Sequence, residues 1–543
     1  MVNVSQTNKM MNINIDKLVM KYVKLALTPF TKDFVLFMVL WIMSSAVDFF
    51  AYLSYGLFEY SFYYALHGFV VVYVITLIAN IFFLKTKKYY CLIFLILGII
   101  NVMVDVVCHY NFHVKFTEDI VQIIKATNVN ESIEFVQTFI GIIPILFCLA
   151  IYLLVGLFLL YRKRIITFLS RYSSYLSIVG SVILFFTIGV TYYRHSQNWG
   201  SVFVNKIFLF YKNIDTINLE DYRHNLKFNY DERNIPDNIV IIIGESHSKK
   251  HTSLYGYNKL TTPRIQRRLN DGNIFLFSDV KAPAFHTLEV FKKILNGHSY
   301  EEIKGIHREW YERPTIFDMV KAVQMETIWI SNQDKSGIYD NIPASYGMLC
   351  DSTFFAGKKF MVAGRIQQDG NYDRNVIEIY NDINFKDTVK KFFVFHLMGS
   401  HVAFKHRYPA NFELYTENDY LNRPENQREI IAQYDNSVIY NDFIVDSIVK
   451  LFESKDALVI YFSDHSIDLF DSSDSYYGHA RPNNQLSVNV GKEIPFWIYV
   501  TDTFKQRHPD TIEMIQKDCN QPFCTDMLYG KLMYLLDLQE VGM

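Results

Sequence analysis

The chain has little net charge, few cysteines and no tract of low complexity. Its 53 Lys and Arg against 55 Asp and Glu leave a formal charge of -2. A nucleic-acid binder usually shows a basic stripe, so no nucleic-acid partner is expected. Six cysteines among 543 residues are too few and too scattered for a disulfide scaffold. Cys91, Cys108 and Cys148 sit inside apolar runs, Cys350, Cys519 and Cys524 fall in the later half, and no CxxC occurs. A hydrophobic content of 50%, with 16% aromatic residues, excludes disorder.

What is present is length and asymmetry. With 543 residues the chain exceeds one compact domain, and at least two are expected. Nearly all long apolar runs precede residue 195, whereas the acids, prolines and most histidines follow it. Five apolar stretches of about 20 residues, enough to cross a hydrocarbon core of about 30 Å, cover about 34–54, 62–84, 90–110, 138–161 and 175–193. The first is longer than a signal h-region and is followed by no small-residue cleavage site, so it is expected to remain as an anchor.

Positive residues flank alternate loops. Lys9, Lys17, Lys21, Lys24 and Lys32 precede the first span, Lys85, Lys87 and Lys88 follow the second, and Arg162, Lys163, Arg164 and Arg171 follow the fourth. The loop 55–61 has no Lys or Arg, and the segment 111–137 has only Lys115 and Lys125. The positive-inside rule then places the N-terminus in the cytoplasm and everything after residue 193 outside it. Asp48 and Asp105 fall within spans, where a carboxylate lines a polar cavity or sits solvated near an interface. Residues 194–235 read as a surface linker with an amphipathic helix against the bilayer.

From Asn238 onward short β-branched runs alternate with helical stretches: NIVIIIGES, ETIWISN, KKFFVFH, ALVIYFSD and EIPFWIYV are strands, and TLEVFKKILNG, TIFDMVKAVQ and the long REIIAQYDNSVIYNDFIVDSIVKLFES are helices. This alternation predicts a mixed, largely parallel sheet sandwiched by helices. In such sheets ligands bind beyond the carboxyl ends of the strands. Three strands run there into metal-ligand residue types: VIIIGES into Glu245, FVFHLMGSH into His396 and His401, and VIYFSDHS into Asp464 and His465, while His479 follows in YYGHARP. Carboxylate oxygens with one imidazole suit Zn²⁺ or a similar divalent ion better than Ca²⁺. Thr287 opens the helix LEVFKKIL, where backbone N–H groups favour an anion. It is either a plain N-cap, contributing about 1 kcal/mol, or a nucleophile. A hydroxyl attacks phosphorus only if something lowers its pKa, and direct metal coordination does so without a neighbouring base.

These motifs resemble those of the membrane-anchored phosphoethanolamine transferases of Gram-negative envelopes, whose catalytic domain has the alkaline phosphatase and sulfatase fold. The matching segments are GES with SLYGYNKLTTPRI, APAFHT, WISNQDKSG, FHLMGSHVAFKHRYP, QYDNSVIYND, YFSDHSIDL, GHARPN and IPFWIYV, spread over residues 238–500. The resemblance implies a five-helix transmembrane domain over residues 1–193, a linker over 194–235 and an extracytoplasmic catalytic domain over 236–543, in the bacterial inner membrane and facing the periplasm. It makes Glu245, Thr287, Asp464 and His465 ligands of one tightly bound zinc, with Thr287 also the nucleophile. His401 and His479 would hold the phosphate or a second zinc and exchange protons, and Lys335, in WISNQDKSG, would contact the transferred phosphate unless it is a solvated surface lysine. His396 is expected to be structural, and Tyr434, Asp435 and Asn436 to open a helix beside the site.

The implied reaction takes phosphoethanolamine from phosphatidylethanolamine in the bilayer onto Thr287 and passes it to an envelope glycan: lipid A or core of lipopolysaccharide, or a periplasmic glucan. Two departures bear on the acceptor. Only Cys519 and Cys524 could pair where lipid A modifying members carry several disulfides, and Phe285 and His286 replace the usual small residues before the nucleophile. The alternatives are a glycerophosphate transferase of the lipoteichoic acid synthase type, a phosphodiesterase or other hydrolase of the sulfatase fold, and a non-catalytic envelope scaffold. A sulfatase proper is disfavoured because Ala-Phe-His-Thr stands where a CxPxR or SxPxR motif is needed, and the joint presence of Glu245, Thr287, Asp464, His465, His401 and His479 argues against a decayed scaffold.

Overall fold

The early apolar runs form long helices, since inside lipid each backbone polar group must be satisfied within its own segment. A computed structural model describes residues 17–83, 85–112, 115–116, 121, 136, 140–193, 217–333, 342–356, 372–385, 388–474, 476–481 and 484–541. Those up to 193 form one unit and those from 217 a second. In the first, α1 (Phe34–Ser54), α2 (Phe58–Phe82), α3 (Lys87–Phe112) and α4 (Ile142–Leu160) are long and apolar enough to cross a membrane. The pair α5 (Arg162–Ser170) and α6 (Ser173–Tyr193), bent by 95°, makes a fifth span when the two are taken together. This is the architecture of an integral membrane protein, and α4 turns Ile142, Leu146, Leu149 and Leu153 outward, as a lipid-facing helix does.

α1 packs against α2, α3 and α4. At one end of the bundle the Lys87 ammonium lies 2.7 Å from Asp33 and 2.9 Å from Asn80 Oδ1. The intramembrane acids are not solvated at an interface. Asp48 and Asp105 are each 1% exposed; Asp48 Oδ1 lies 2.6 Å from His109 Nε2, and Asp105 accepts from Asn101 Nδ2 at 2.9 Å. A carboxylate amid apolar helices needs such partners. Most of the segment 111–137 and of the linker 194–235 lies outside the described residues.

The second unit is built on a seven-stranded sheet. Its strands are β1 (Asn238–Gly244), β2 (Ile274–Leu276), β3 (Glu326–Ser331), β4 (Ser352–Phe355), β5 (Lys391–His396), β6 (Ala457–Ser463) and β7 (Phe496–Val500), in the spatial order β2-β7-β6-β1-β5-β3-β4. β7 is antiparallel to both its neighbours and the other pairings are parallel. The expected mixed, largely parallel sheet is therefore observed. Every residue of β1, β5 and β6 is buried, because helices cover both faces. Ile239, Ile241 and Ile243 meet α7 (Thr287–Ile294), α8 (Ile316–Ala322) and α11 (Leu528–Leu535) on one face. Val240 and Ile242 meet α9 (Arg374–Asp382) and α10 (Glu425–Lys450) on the other. All six cysteines are free, Cys519 and Cys524 included.

Candidate active site

The register of the central strands assembles the site. β1 and β6 pair in parallel with Gly244 opposite Ser463, so Glu245 and the Asp464-His465 pair leave the sheet side by side. Each is at most 1% exposed. One ligand atom from each of Glu245, Asp464 and His465 lies within 4.8 Å of the others. His465 Nδ1 faces the Ser466 carbonyl at 2.8 Å, an acceptor only, which puts the ring proton on Nδ1 and leaves the Nε2 lone pair for the site. That Nε2 lies 3.4 Å from Glu245 Oε1 and 3.4 Å from Asp464 Oδ2.

The two carboxylates are in a costly setting. Asp464 Oδ1 accepts from His465 N at 2.7 Å and Ser246 N at 3.2 Å, but its buried Oδ2 accepts no hydrogen bond. Burial, and next the charge of Asp464, push the Glu245 carboxyl up to about 8; burial raises Asp464 to about 6. A bare buried oxygen and two neighbouring acids that resist ionising fit a divalent cation, which would replace the shared proton.

Thr287 brings a fourth donor beside these three. The N-cap of α7 is His286, in extended backbone, and Thr287 is the first helical residue. Its hydroxyl faces Glu245 Oε2 at 3.3 Å and His465 Nε2 at 3.2 Å. The N-cap reading is thereby displaced.

A turn from β5 holds Glu245 in place. Ser400 N donates to Glu245 O at 2.9 Å, and Gly399, at φ +50°, lies so close that a Cβ would stand 2.7 Å from Glu245 N and O. Asp373 accepts from Met398 N at 2.7 Å and Gly399 N at 2.8 Å and from Asn332 Nδ2 at 2.9 Å. Burial raises the Asp373 pKa. Sequence reasoning missed Asp373 and Asn332; Asn332 follows a strand end, but nothing in YDRN marks Asp373.

Three further imidazoles approach. The rings of His286 and His479 are 4.8 Å apart, and those of His465 and His479 are 5.0 Å apart. Burial pushes His286 and His401 down to about 3 and His479 well below its ordinary value, so all three are neutral at pH 7. The Nδ1 atoms of His286 and His401 are buried without a hydrogen bond. Arg407 Nε donates to His401 O at 3.2 Å, and Tyr476 OH to His479 O at 2.5 Å. His396 stands apart, packed between Phe291 and Trp329 and 3.1 Å from Ser331 Oγ. Lys335 lies outside the described residues.

Tyr434, Asp435 and Asn436 do not open their helix: α10 begins at Glu425, earlier than expected, because Pro424 stands at its N-cap. From mid-helix, Tyr434 OH accepts from Ser248 N at 2.7 Å and donates to Ser246 O at 2.8 Å, pinning the turn after β1.

A hydroxyl at a helix start, facing buried acids and an imidazole beyond the carboxyl edge of a largely parallel sheet, defines an α/β domain suited to metal-assisted attack on an ester of phosphorus or sulfur. The chain belongs to the sulfatase family, whose model, described as Sulfatase, matches residues 237–524, just over half of the chain. The resemblance drawn from the motifs is borne out. The sequence is 27% identical over 289 residues to the phosphoethanolamine transferase EptC of Escherichia coli strain K12, covering 52% of this chain and 48% of that protein. The chain thus spans about half the length of the curated relatives it matches. Among solved structures it is similar to the C-terminal periplasmic domain of EptC from Escherichia coli in complex with Zn, at 25% identity and a TM-score of 0.51, over 58% of this chain and 86% of that one. The integral membrane lipooligosaccharide phosphoethanolamine transferase A (EptA) of Neisseria meningitidis shares the fold over 94% of this chain and 96% of its own, with a TM-score of 0.64 at 16% identity.

Proposed function

We propose that this protein transfers phosphoethanolamine from phosphatidylethanolamine to an envelope glycan through a covalent intermediate on Thr287. The observation that carries the reading is the Thr287 hydroxyl, 3.2 Å from His465 Nε2 and 3.3 Å from Glu245 Oε2. The names of the relatives and the zinc in the Escherichia coli domain support it. Glu245, Thr287, Asp464 and His465 would hold one zinc, which when bound supplies the Lewis acidity that lowers the pKa of the hydroxyl. His401 and His479 would line a second position for phosphate or metal, with Lys335 on the donor phosphate.

Thr287 Oγ attacks phosphorus in line, a Thr–O–P bond forms, and the P–O bond to diacylglycerol breaks. The hydroxyl proton leaves with the diacylglycerol oxygen. An acceptor oxygen on lipid A, core sugar or glucan then attacks from the vacated side and releases Thr287. His401 and His479, neutral at pH 7, exchange protons and hold the equatorial oxygens. Residues 1–193 would anchor the chain in the inner membrane with the N-terminus cytoplasmic, 194–235 would link, and 236–543 would work in the periplasm.

Peptide mass spectrometry of the zinc-loaded full chain after incubation with phosphatidylethanolamine tests this reading. A phosphoethanolamine adduct on the Thr287 peptide, absent in Thr287→Ala, is expected. A glycerophosphate adduct from phosphatidylglycerol instead would replace the donor, and no adduct from either lipid would sink the transferase reading.

A further inference from the structure

The membrane unit holds a polar cluster to which the bond-making steps above assign no role. It lies where α1 ends, α2 begins and α3 ends, away from the Lys87 and Asp33 pair at the other end of the bundle. Asp48 is its centre: Oδ1 pairs with His109, while Oδ2 is buried and accepts no hydrogen bond. A bare carboxylate oxygen among apolar helices is unfavourable unless a cation or donor reaches it.

Tyrosine rings surround this acid. Tyr52 meets His109 edge-on at 5.4 Å and stacks on Tyr64 at 5.1 Å. Tyr52 thereby links the Tyr64 ring to the His109 and Asp48 pair. Tyr63 stands at 73° to Tyr64 with centroids 5.4 Å apart, so the two rings wall a corner. A cation already sits on one of these rings: Lys115 Nζ is 4.3 Å from the centroid of Tyr64. Aromatic corners of this kind hold ammonium groups through the ring quadrupole. Lys115 lies beyond the end of α3 at Phe112, so its side chain can be replaced without breaking a helix.

We propose that the Tyr63 and Tyr64 corner, backed by Asp48, is a binding site for a primary alkylammonium, that Lys115 fills it when no ligand is present, and that the ligand is the ammonium of an ethanolamine-headed phospholipid. The identity of the lipid rests on the transfer proposed above. The alkylammonium chemistry rests on the seated lysine, which ends in the same R–CH₂–NH₃⁺ group.

Native mass spectrometry of the full-length protein, titrated with phosphatidylethanolamine and phosphatidylcholine of matched chains, tests the site. We expect at least tenfold tighter binding of the ethanolamine lipid, displacement by millimolar methylammonium, loss of the preference in Tyr64→Leu and its retention in Tyr64→Phe. Lys115→Ala, which removes the competing cation, should tighten binding several-fold. Tyr64→Leu leaves the Asp48 and His109 pair intact. Equal binding of the two lipids by the wild type, or a preference untouched by Tyr64→Leu, overturns the site. The Thr287 adduct, read in the same samples, separates the two ideas. An adduct whose lipid dependence is unchanged in Tyr64→Leu defeats the site and leaves the transfer standing. A headgroup preference that Tyr64→Leu removes, in a protein that forms no adduct, keeps the site and defeats the transfer.

Discussion

Thr287 and its three neighbours behave as one unit, and single substitutions should separate their duties. Under the proposed transfer, Thr287→Ala would remove the attacking oxygen and leave three metal ligands, so turnover should fall by about 10⁴-fold or more with metal content nearly unchanged; a rate assay beside metal analysis of one preparation checks this. Glu245 and Asp464 make the metal-free fold sensitive to pH in a direction that follows from their shifts. Glu245 ordinarily titrates near 4.5 and is pushed up to about 8 in the folded chain. Between those values the folded protein holds a proton that the unfolded chain has released, so stability should fall as pH rises from about 4.5 through 8 and level off above. A metal held by these residues would take the place of that proton, so the slope should vanish in the loaded protein. Thermal melts of chelator-treated and zinc-loaded samples across this range decide it, and parallel curves would count against a metal at these residues.

The elements that carry the site are held by contacts made after the strands end. The Gly399 turn presses on the Glu245 backbone, and a Cβ there would meet Glu245 N and O at 2.7 Å. Gly399→Ala must also adopt a positive φ, so it should destabilise the domain by about 1–3 kcal/mol and weaken metal binding, measured by denaturant unfolding and by competition with a chelator. Asp373 receives two backbone N–H groups of the same turn. Asp373→Ala would leave them buried and unpaired, at about 1–3 kcal/mol, and should loosen His401 more than Glu245, raising KM for the donor more than it lowers metal affinity. None of this was legible in the chain. Strand ends with Glu, His and Asp-His are visible in a run of letters, whereas an aspartate that receives a turn 25 residues away is an ordinary loop residue until the chain folds.

At the scale of the molecule, the membrane unit confines the protein to the surface that holds its proposed donor. A chain of residues 217–543 should keep its sheet and its metal, because the core clusters of this unit are made of its own residues. Its adduct formation from bilayer lipid should drop by about 10²-fold as the local concentration of donor is lost, with a much smaller loss for a short-chain soluble analogue. Stopped-time mass spectrometry with both donors measures the ratio.

Hydrophobic patterning alone determined the two-part build. Runs of about 20 apolar residues have no alternative to membrane helices, and near-continuous β-branched runs such as NIVIIIG become strands covered on both faces. Glu245 and the Asp464-His465 pair were legible for the same reason, since each directly follows such a run. Tertiary structure decided what depends on distance in space between residues far apart in sequence. It brought Thr287 to His465 across 178 positions and paired Asp48 with His109 across 61. It also set His286 against His479. Periodicity records which face of an element is buried, but not which other element covers that face; packing alone supplies the partner.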